Sequence, residues 1–431
     1  MRDQESKLTA TLPKTDLKRV VIIGGGFAGI ELVRKLRKLN VEVIMIDKNN
    51  YHSFIPLLYQ VATAGLSPGD ISSPLREFLQ DDSHFHFRLA QVQRIDSENN
   101  RVITDRGPLE YDYVVIGTGS TTNFFGNDKI ERNSLKLREI NDAIKLRNRL
   151  IDNFEEALLV NDEEKREKLL NVAIVGAGPT GAELAGAIGE LRRHILPKDY
   201  PELDFSKMRI FLIEGLDRVL PAMSERASEK ALKYLKGFGI EVILGKMVKD
   251  AENGTIILDD GTVIKSSSLI WAAGVKGNII QGLGESVYEK SRIKVDEYSR
   301  VKDHSNVFAI GDVADQKTGK YPKGLPMLAP VAIQQAKHLG ENLRRGFDSS
   351  KWKPFEYFDK GTMATIGRNK AVVDTSFKWK IGGFIGWFIW MFVHLFSIIG
   401  FRRKLMVFAN WVWNYFTYNR GKRLIIERKE I

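Results

Sequence analysis

An α/β fold built on two doubly wound, Rossmann-like units is predicted by three observations. One glycine pattern occurs twice, as Gly24-x-Gly26-x-x-Gly29 and Gly176-x-Gly178-x-x-Gly181. Each copy follows a short apolar strand, and each opens an apolar helix. In such a strand-turn-helix unit the glycines let the backbone approach a pyrophosphate, while the helix N-terminus offers N–H donors and the positive end of its dipole. Two units therefore imply two bound dinucleotides.

The first unit begins with the β-branched run Arg19 to Ile23, turns through the glycines, and continues as an apolar-periodic helix over Ile30 to Leu39, with the next strand at Val41 to Ile46. Asp47 closes that strand 18 residues after Gly29, near the spacing of about 20 at which a carboxylate grips a ribose hydroxyl. The second unit repeats the order: a strand at Asn171 to Val175, the turn GAGPTG, and a helix from Ala182 to about His194. Its acidic residue is Glu214, 33 residues after Gly181, because Leu196 to Lys207 inserts a loop carrying Pro197 and Pro201. Tyr113 to Gly119 and Leu269 to Gly274 read as paired return strands ending in glycine turns. Val307 to Asp312 sends another apolar strand into Gly311-Asp312, placing Asp312 at a strand's carboxyl end, where cofactors bind.

The first domain is thus expected to be interrupted by the second, with boundaries at 17–119 and 301–345 for one and 120–300 for the other. An N-terminal unit with a late Gly-Asp return is the arrangement expected for FAD; the contiguous unit is left for an exchangeable nicotinamide. Glu214 predicts NADH over NADPH, since a carboxylate repels a 2′-phosphate. The expected FAD contacts are Gly24, Gly26, Phe27, Ala28, Gly29, Asp47, Lys48, Pro56, Thr118, Gly119, Gly311, Asp312 and Ala329. The expected NADH contacts are Gly176, Gly178, Pro179, Thr180, Gly181, Glu183, Glu214, Ala273 and Gly274.

From Lys351 the composition turns aromatic, and Tyr357 to Ala371 suggests short strands around glycine turns, so a third domain is expected over 348–431 as a C-terminal membrane-anchoring region. The net charge of +11 is concentrated there: ten lysines and arginines against Glu427 and Glu430 between Lys378 and Ile431 give +8 and leave +3 for the preceding 377 residues. Five of the seven tryptophans share this tail. Tryptophan beside lysine and arginine is the composition of a membrane–water interface, so an anionic lipid surface, not nucleic acid, is the expected partner. Ile381 to Phe401 carries no formal charge over 21 residues, enough for about 30 Å of helix, and a transmembrane span is one reading. Leu405 to Tyr418, with Asn410 and Asn414 among its aromatics, is too short at 14 residues to cross back. Monotopic attachment is the favoured reading.

The chain contains no cysteine, which removes disulfide exchange, cysteinyl-flavin links and thiolate-bound iron–sulfur clusters. Any flavin is therefore held without a thioether, and electrons pass directly between nicotinamide, flavin and an outside acceptor. The seven histidines show no metal-ligand spacing beyond His84-x-His86, which reads as one face of a strand; no metal is assigned. His394 in the apolar tail is expected to be hydrogen-bonded within the protein. Glu183, two residues past Gly181, has two readings of equal weight. It complements the helix dipole, or it lies beside the rings and carries a proton as the acceptor is reduced.

These residues resemble the type II NADH:quinone oxidoreductases, single-chain respiratory NADH dehydrogenases that pump no protons, over nearly the whole chain. Gly24 to Gly29 is similar to the family's FAD turn, Phe54-Ile55-Pro56-Leu57-Leu58-Tyr59-Gln60-Val61-Ala62 to its segment beside the flavin, and Gly176 to Glu183 to its NADH turn with the adjoining glutamate. Gly311-Asp312 is similar to the flavin-ribityl contact, and the tail to the membrane anchor. The family's quinone-side pattern Ala-Gln-x-Ala-x-Gln stands here as Ala329-Pro330-Val331-Ala332-Ile333-Gln334. Proline offers neither an amide side chain nor an N–H, which puts a hydrogen bond to quinone from that position in question. The resemblance implies hydride transfer from nicotinamide C4 to flavin N5, a quinone near Pro330, Ile333 and Gln334, a homodimer, and a peripheral place on the cytoplasmic face of a bacterial inner membrane. An FAD-dependent NADH reductase of a protein acceptor such as ferredoxin, and a membrane-bound NADH sensor without sustained turnover, are the competing readings. Sulfide:quinone reductases need cysteines that this chain lacks.

Overall fold

The computed structural model describes residues 8–80, 82–376, 379–417 and 421–425. Lys378, Tyr418, Glu427 and Glu430, which enter the tail's charge and length above, lie outside the described residues. The chain divides into two compact units: one comprises Met1–His52, Ser73–Thr121 and Val275–Asp359, the other Ser53–Ser72, Thr122–Gly274 and Lys360–Ile431.

The first unit is built on a five-stranded parallel sheet in the order Val307–Ala309, Tyr113–Ile116, Arg19–Ile23, Glu42–Asp47, Phe85–Leu89. Val21 pairs with Ile44 on one side and Val114 on the other, and all three are wholly buried. Such near-continuous apolar runs are what a sheet covered on both faces requires. The helices Phe27–Leu36 and Ala329–Arg345 pack against each other, and an antiparallel side sheet of Val92–Asp96, Arg101–Thr104 and Gly107–Glu110 precedes the return strand.

The second unit repeats this plan. Its parallel sheet runs Leu135–Lys136, Ser268–Trp271, Val172–Val175, Ile210–Glu214, Glu241–Leu244, with Ile174 between Leu212 and Ile270. Its side sheet is Val248–Glu252, Thr255–Leu258 and Val263–Lys265. The helices begin at Phe27 and Pro179, before the apolar periodicity does, because the last residues of each glycine turn are already helical. The expected loop after Ile195 holds a short helix, Leu196–Asp199, with Pro197 in its first turn, where a missing N–H costs nothing.

The second unit also contains the C-terminal region. Gly361–Thr365, Ala371–Thr375 and Lys380–Gly383 form an antiparallel meander, followed by helices Phe384–Ser397 and Phe401–Thr417. The uncharged stretch Ile381 to Phe401 is therefore not one helix. Its first residues pair with Ala371–Val373, and Gly383 and Gly400 take positive φ immediately before the 14-residue helix and before the helix that follows it. Among the described residues no helix is long and apolar enough to cross a membrane.

The two glycine turns close on themselves in the same way. A Cβ on Gly29 would lie 1.9 Å from the Gly24 carbonyl oxygen, and one on Gly181 would lie 1.9 Å from that of Gly176. Backbone cannot yield by that much. Gly29→Ala and Gly181→Ala are each expected to lower unfolding free energy by about 3 kcal/mol in denaturant titrations; an unchanged midpoint for either would contradict this packing.

Candidate functional site

The middle glycine of each turn has the opposite environment from the other two. Gly24 (φ +107°) and Gly176 (φ +99°) back onto the return-strand turns: a Cβ would lie 2.4 Å from the Gly117 carbonyl oxygen or 2.6 Å from that of Ala272. A Cβ on Gly26 or Gly178 meets nothing within 4 Å. Both residues are helix N-caps without a side-chain cap, so each helix opens onto free space bare of side chain. That is the cradle a pyrophosphate needs.

The acidic residues lock these cradles. Asp47 accepts hydrogen bonds from the N–H groups of Gly25 (2.6 Å) and Asn49 (2.7 Å), and Glu214 accepts them from Ala177 (2.7 Å) and Leu216 (3.1 Å). Each carboxylate is thereby oriented at the carboxyl end of its strand with lone pairs remaining for a ribose hydroxyl. His52 supports the first turn from behind. Its Nδ1 lies 3.1 Å from the Gly25 carbonyl and its ring stands edge-on to Phe27 at 5.0 Å; burial lowers its pKa to about 4, so the ring stays neutral.

In the first unit the expected FAD residues Gly24 to Gly29, Asp47, Thr118, Gly119, Gly311, Asp312 and Ala329 converge on the carboxyl ends of the strands. A Cβ on Gly311 would touch Ala28 at 3.6 Å and Ala332 at 3.3 Å, and the Ser120 hydroxyl donates to the Asp312 carboxylate. Lys48 is on the surface of this unit, and Pro56 belongs to the other unit, in the turn Ile55–Leu57 before helix Leu58–Ala62. Gln335, which no local pattern singles out, holds the Gly-Asp turn. Its Oε1 accepts from the Gly311 N–H (2.7 Å) and its Nε2 donates to Gln316 Oε1 (2.7 Å), with both side chains fully buried.

The residues expected near the quinone start the helix Ala329–Arg345. Pro330 sits in its first turn, where no N–H is needed, which is a structural reason for proline at this position. Gln334 spends both ends of its amide on the Phe358 backbone, donating to the carbonyl at 2.9 Å and accepting from the N–H at 3.0 Å. Ile333 lies beside it, half-buried.

In the second unit Gly176, Gly178, Pro179, Thr180, Gly181, Glu214, Ala273 and Gly274 gather around the second turn. Glu183 does not point along the dipole into water. It is buried, and its Oε1 accepts from the Thr365 N–H (3.3 Å) and from Trp390 Nε1 (3.2 Å). Burial, only partly offset by these two donors, raises its pKa to about 8. Trp390 stacks on His394 with ring centroids 4.2 Å apart, and His394 Nδ1 lies 2.8 Å from the Trp390 carbonyl. Burial lowers the His394 pKa to about 4.

The last helix docks by hydrogen bonds together with the wholly buried Val407 and the Trp411 ring, which lies against Trp390 at 5.8 Å. Asn410 donates to Asp70, Trp411 to Gln60 Oε1 (2.7 Å) and Asn414 to the Gly65 carbonyl, while Arg368 caps the helix C-terminus through the carbonyls of Asn414 and Tyr415. Both asparagines find their partners inside the unit. Phe401, Leu405, Trp413 and Phe416 are left exposed, as are Phe384, Phe388, Phe392 and Phe396 on the preceding helix.

Comparison with known proteins bears on this arrangement. Residues 18–336 match the family model of the pyridine nucleotide-disulphide oxidoreductases, and residues 360–418 match that of the NDH2 C-terminal domain. The type II NADH:quinone oxidoreductase Ndh of Mycobacterium tuberculosis is 36% identical over 430 residues, covering 95% of this chain and 91% of its own. The type II NADH:quinone oxidoreductase of Staphylococcus epidermidis is 28% identical, covering 85% of this chain and 97% of its own. The solved structure of NDH2 from Plasmodium falciparum in complex with NADH has the same fold, with a TM-score of 0.87 at 20% identity over 95% of this chain and 100% of that one. Without a cysteine this chain cannot carry out the disulfide chemistry in the broader family's name. Matched along nearly its whole length, the chain belongs to the type II NADH:quinone oxidoreductases.

Proposed function

We propose that this chain passes two electrons from NADH, through FAD held without a covalent bond, to a membrane quinone, and pumps no protons. The observation that carries the reading is the pair of glycine cradles, alike in geometry and each open at its middle glycine. Gly26, Asp47 and the Gly311-Asp312 turn would hold FAD; Gly178, Glu214 and Gly274 would hold NADH, with the Glu214 carboxylate disfavouring a 2′-phosphate. When bound, FAD supplies a two-electron acceptor between the nicotinamide and the quinone.

The protons follow from stoichiometry. NADH delivers a hydride and quinone becomes quinol by gaining two electrons and two protons, so one proton comes from the medium. Glu183, kept protonated at neutral pH by burial, is the side chain suited to pass it on. Gln334 acts as a wall of the quinone side, fixed to Phe358, and Pro330 and Ile333 supply its apolar surface.

Membrane docking is supported by the exposed apolar faces of the last two helices beside Arg402, Arg403 and Lys404. The 14-residue helix extends about 21 Å, short of a hydrocarbon core of about 30 Å, which suits attachment in one leaflet and gives no span through which to move protons.

Anaerobic addition of NADH to the purified protein is expected to bleach its flavin absorbance, and a soluble quinone is expected to restore it. Bleaching without recovery would contradict quinone as the acceptor. Replacing Phe384, Phe388, Phe392 and Phe396 together by serine is expected to reduce co-sedimentation with phosphatidylglycerol vesicles at least tenfold while flavin content holds. Undiminished sedimentation would contradict docking through this helix.

A further inference from the structure

Glu183 receives its two hydrogen bonds on one oxygen. The Thr365 N–H and Trp390 Nε1–H, at 3.3 and 3.2 Å, both reach Oε1, and among the described residues no hydrogen bond reaches Oε2. Both donors are permanently protonated and neither can accept. An oxygen that accepts two N–H groups cannot also carry the acid proton toward either of them. Trp390 is itself only 2% exposed, stacked against His394 and tilted against Tyr59 at 6.4 Å, so its N–H direction is fixed by packing.

We propose that Trp390, on the first tail helix, is a positioning residue: with the Thr365 amide it pins Oε1 as the carbonyl-type oxygen of Glu183, so that the acid proton resides on and leaves from Oε2. This rests on the acid role given to Glu183 above. It also makes the tail part of the proton-handling site, since the donor comes from a helix 207 residues further along the chain.

The surroundings support a neutral arrangement. Strand Gly361–Thr365 brings no titratable group. Helix Leu58–Ala62 brings Tyr59, and helix Phe384–Ser397 brings His394, which burial keeps uncharged. Strand Ile210–Glu214 brings Glu214, held by the Ala177 amide, and helix Glu225–Gly237 carries charges that do not perturb Glu183. Burial raises the proton affinity of Glu183 and the two N–H donors lower it. Removing a donor therefore raises it further.

Infrared difference titration of the full-length holoenzyme tests this, with the carboxylic-acid carbonyl band assigned by its loss in Glu183→Gln. In Trp390→Phe the band is expected to move to higher frequency, because its carbonyl oxygen has lost a donor. Its titration midpoint is expected to rise by about one pH unit, a tenfold gain in proton affinity. Trp390→His, which keeps a ring N–H, is expected to return both toward wild type, and serves as the readout should the phenylalanine variant fold poorly. A band unmoved in frequency and midpoint in Trp390→Phe, or a midpoint raised by about one full pH unit in Trp390→His, which keeps the donor, overturns the assignment. If instead Glu183→Gln turns over quinone with an unaltered pH profile, the acid role itself fails, an outcome distinct from the behaviour of the band.

Discussion

The contact of Gly29 with the Gly24 carbonyl, and its counterpart between Gly181 and Gly176, is the constraint on which the molecule depends. Only when two of the three glycines are pressed into backbone does the helix start close enough to the strand end for the middle glycine to face open space. The carboxylates of Asp47 and Glu214 then tie the turn to the next strand through the amides of Gly25 and Ala177, so one acidic side chain stiffens each cradle. The chain uses this device twice, in two parallel sheets that share the order of return strand, glycine-turn strand and the two strands beyond it, and differ in the edge strand beside the return strand, Val307–Ala309 in one and Leu135–Lys136 in the other.

The two units differ in what they add. The first supplies a Gly-Asp turn fixed by buried amides, Gln335 to Gly311 and Gln335 to Gln316. A polar network of this kind holds its geometry because every broken bond would leave a buried group unpaired. The second unit adds the tail, whose helices pack on it through polar and aromatic contacts and leave phenylalanines outward. An acid buried among uncharged partners stays protonated, so the unit that carries the second glycine turn also carries a neutral carboxylic acid at neutral pH.

Much of this was legible in the sequence, for a physical reason. Strand-glycine-helix units are local: the apolar run, the turn and the acidic residue all lie within a few tens of residues, and the structure shows them paired as read. What escaped notice depends on distant partners. Gln335 reads as one more polar residue on an amphipathic helix until Gly311 is seen against it. The strand Phe85–Leu89 lacks a glycine turn to mark it. Ile381 to Phe401 looks long enough to span a bilayer because hydropathy does not register that Lys380–Gly383 pairs with Ala371–Asp374. Trp390 and Glu183 are joined only by the fold.

The most direct measurement compares nucleotide binding with stability at the open glycines. Gly178→Ala adds a methyl group to empty space in the cradle, so the account predicts an unchanged unfolding midpoint together with at least a tenfold rise in the KM for NADH. Gly26→Ala is predicted to lose FAD in the same manner without loss of fold. Full affinity for NADH in Gly178→Ala would contradict the claim that this glycine marks where the pyrophosphate lies.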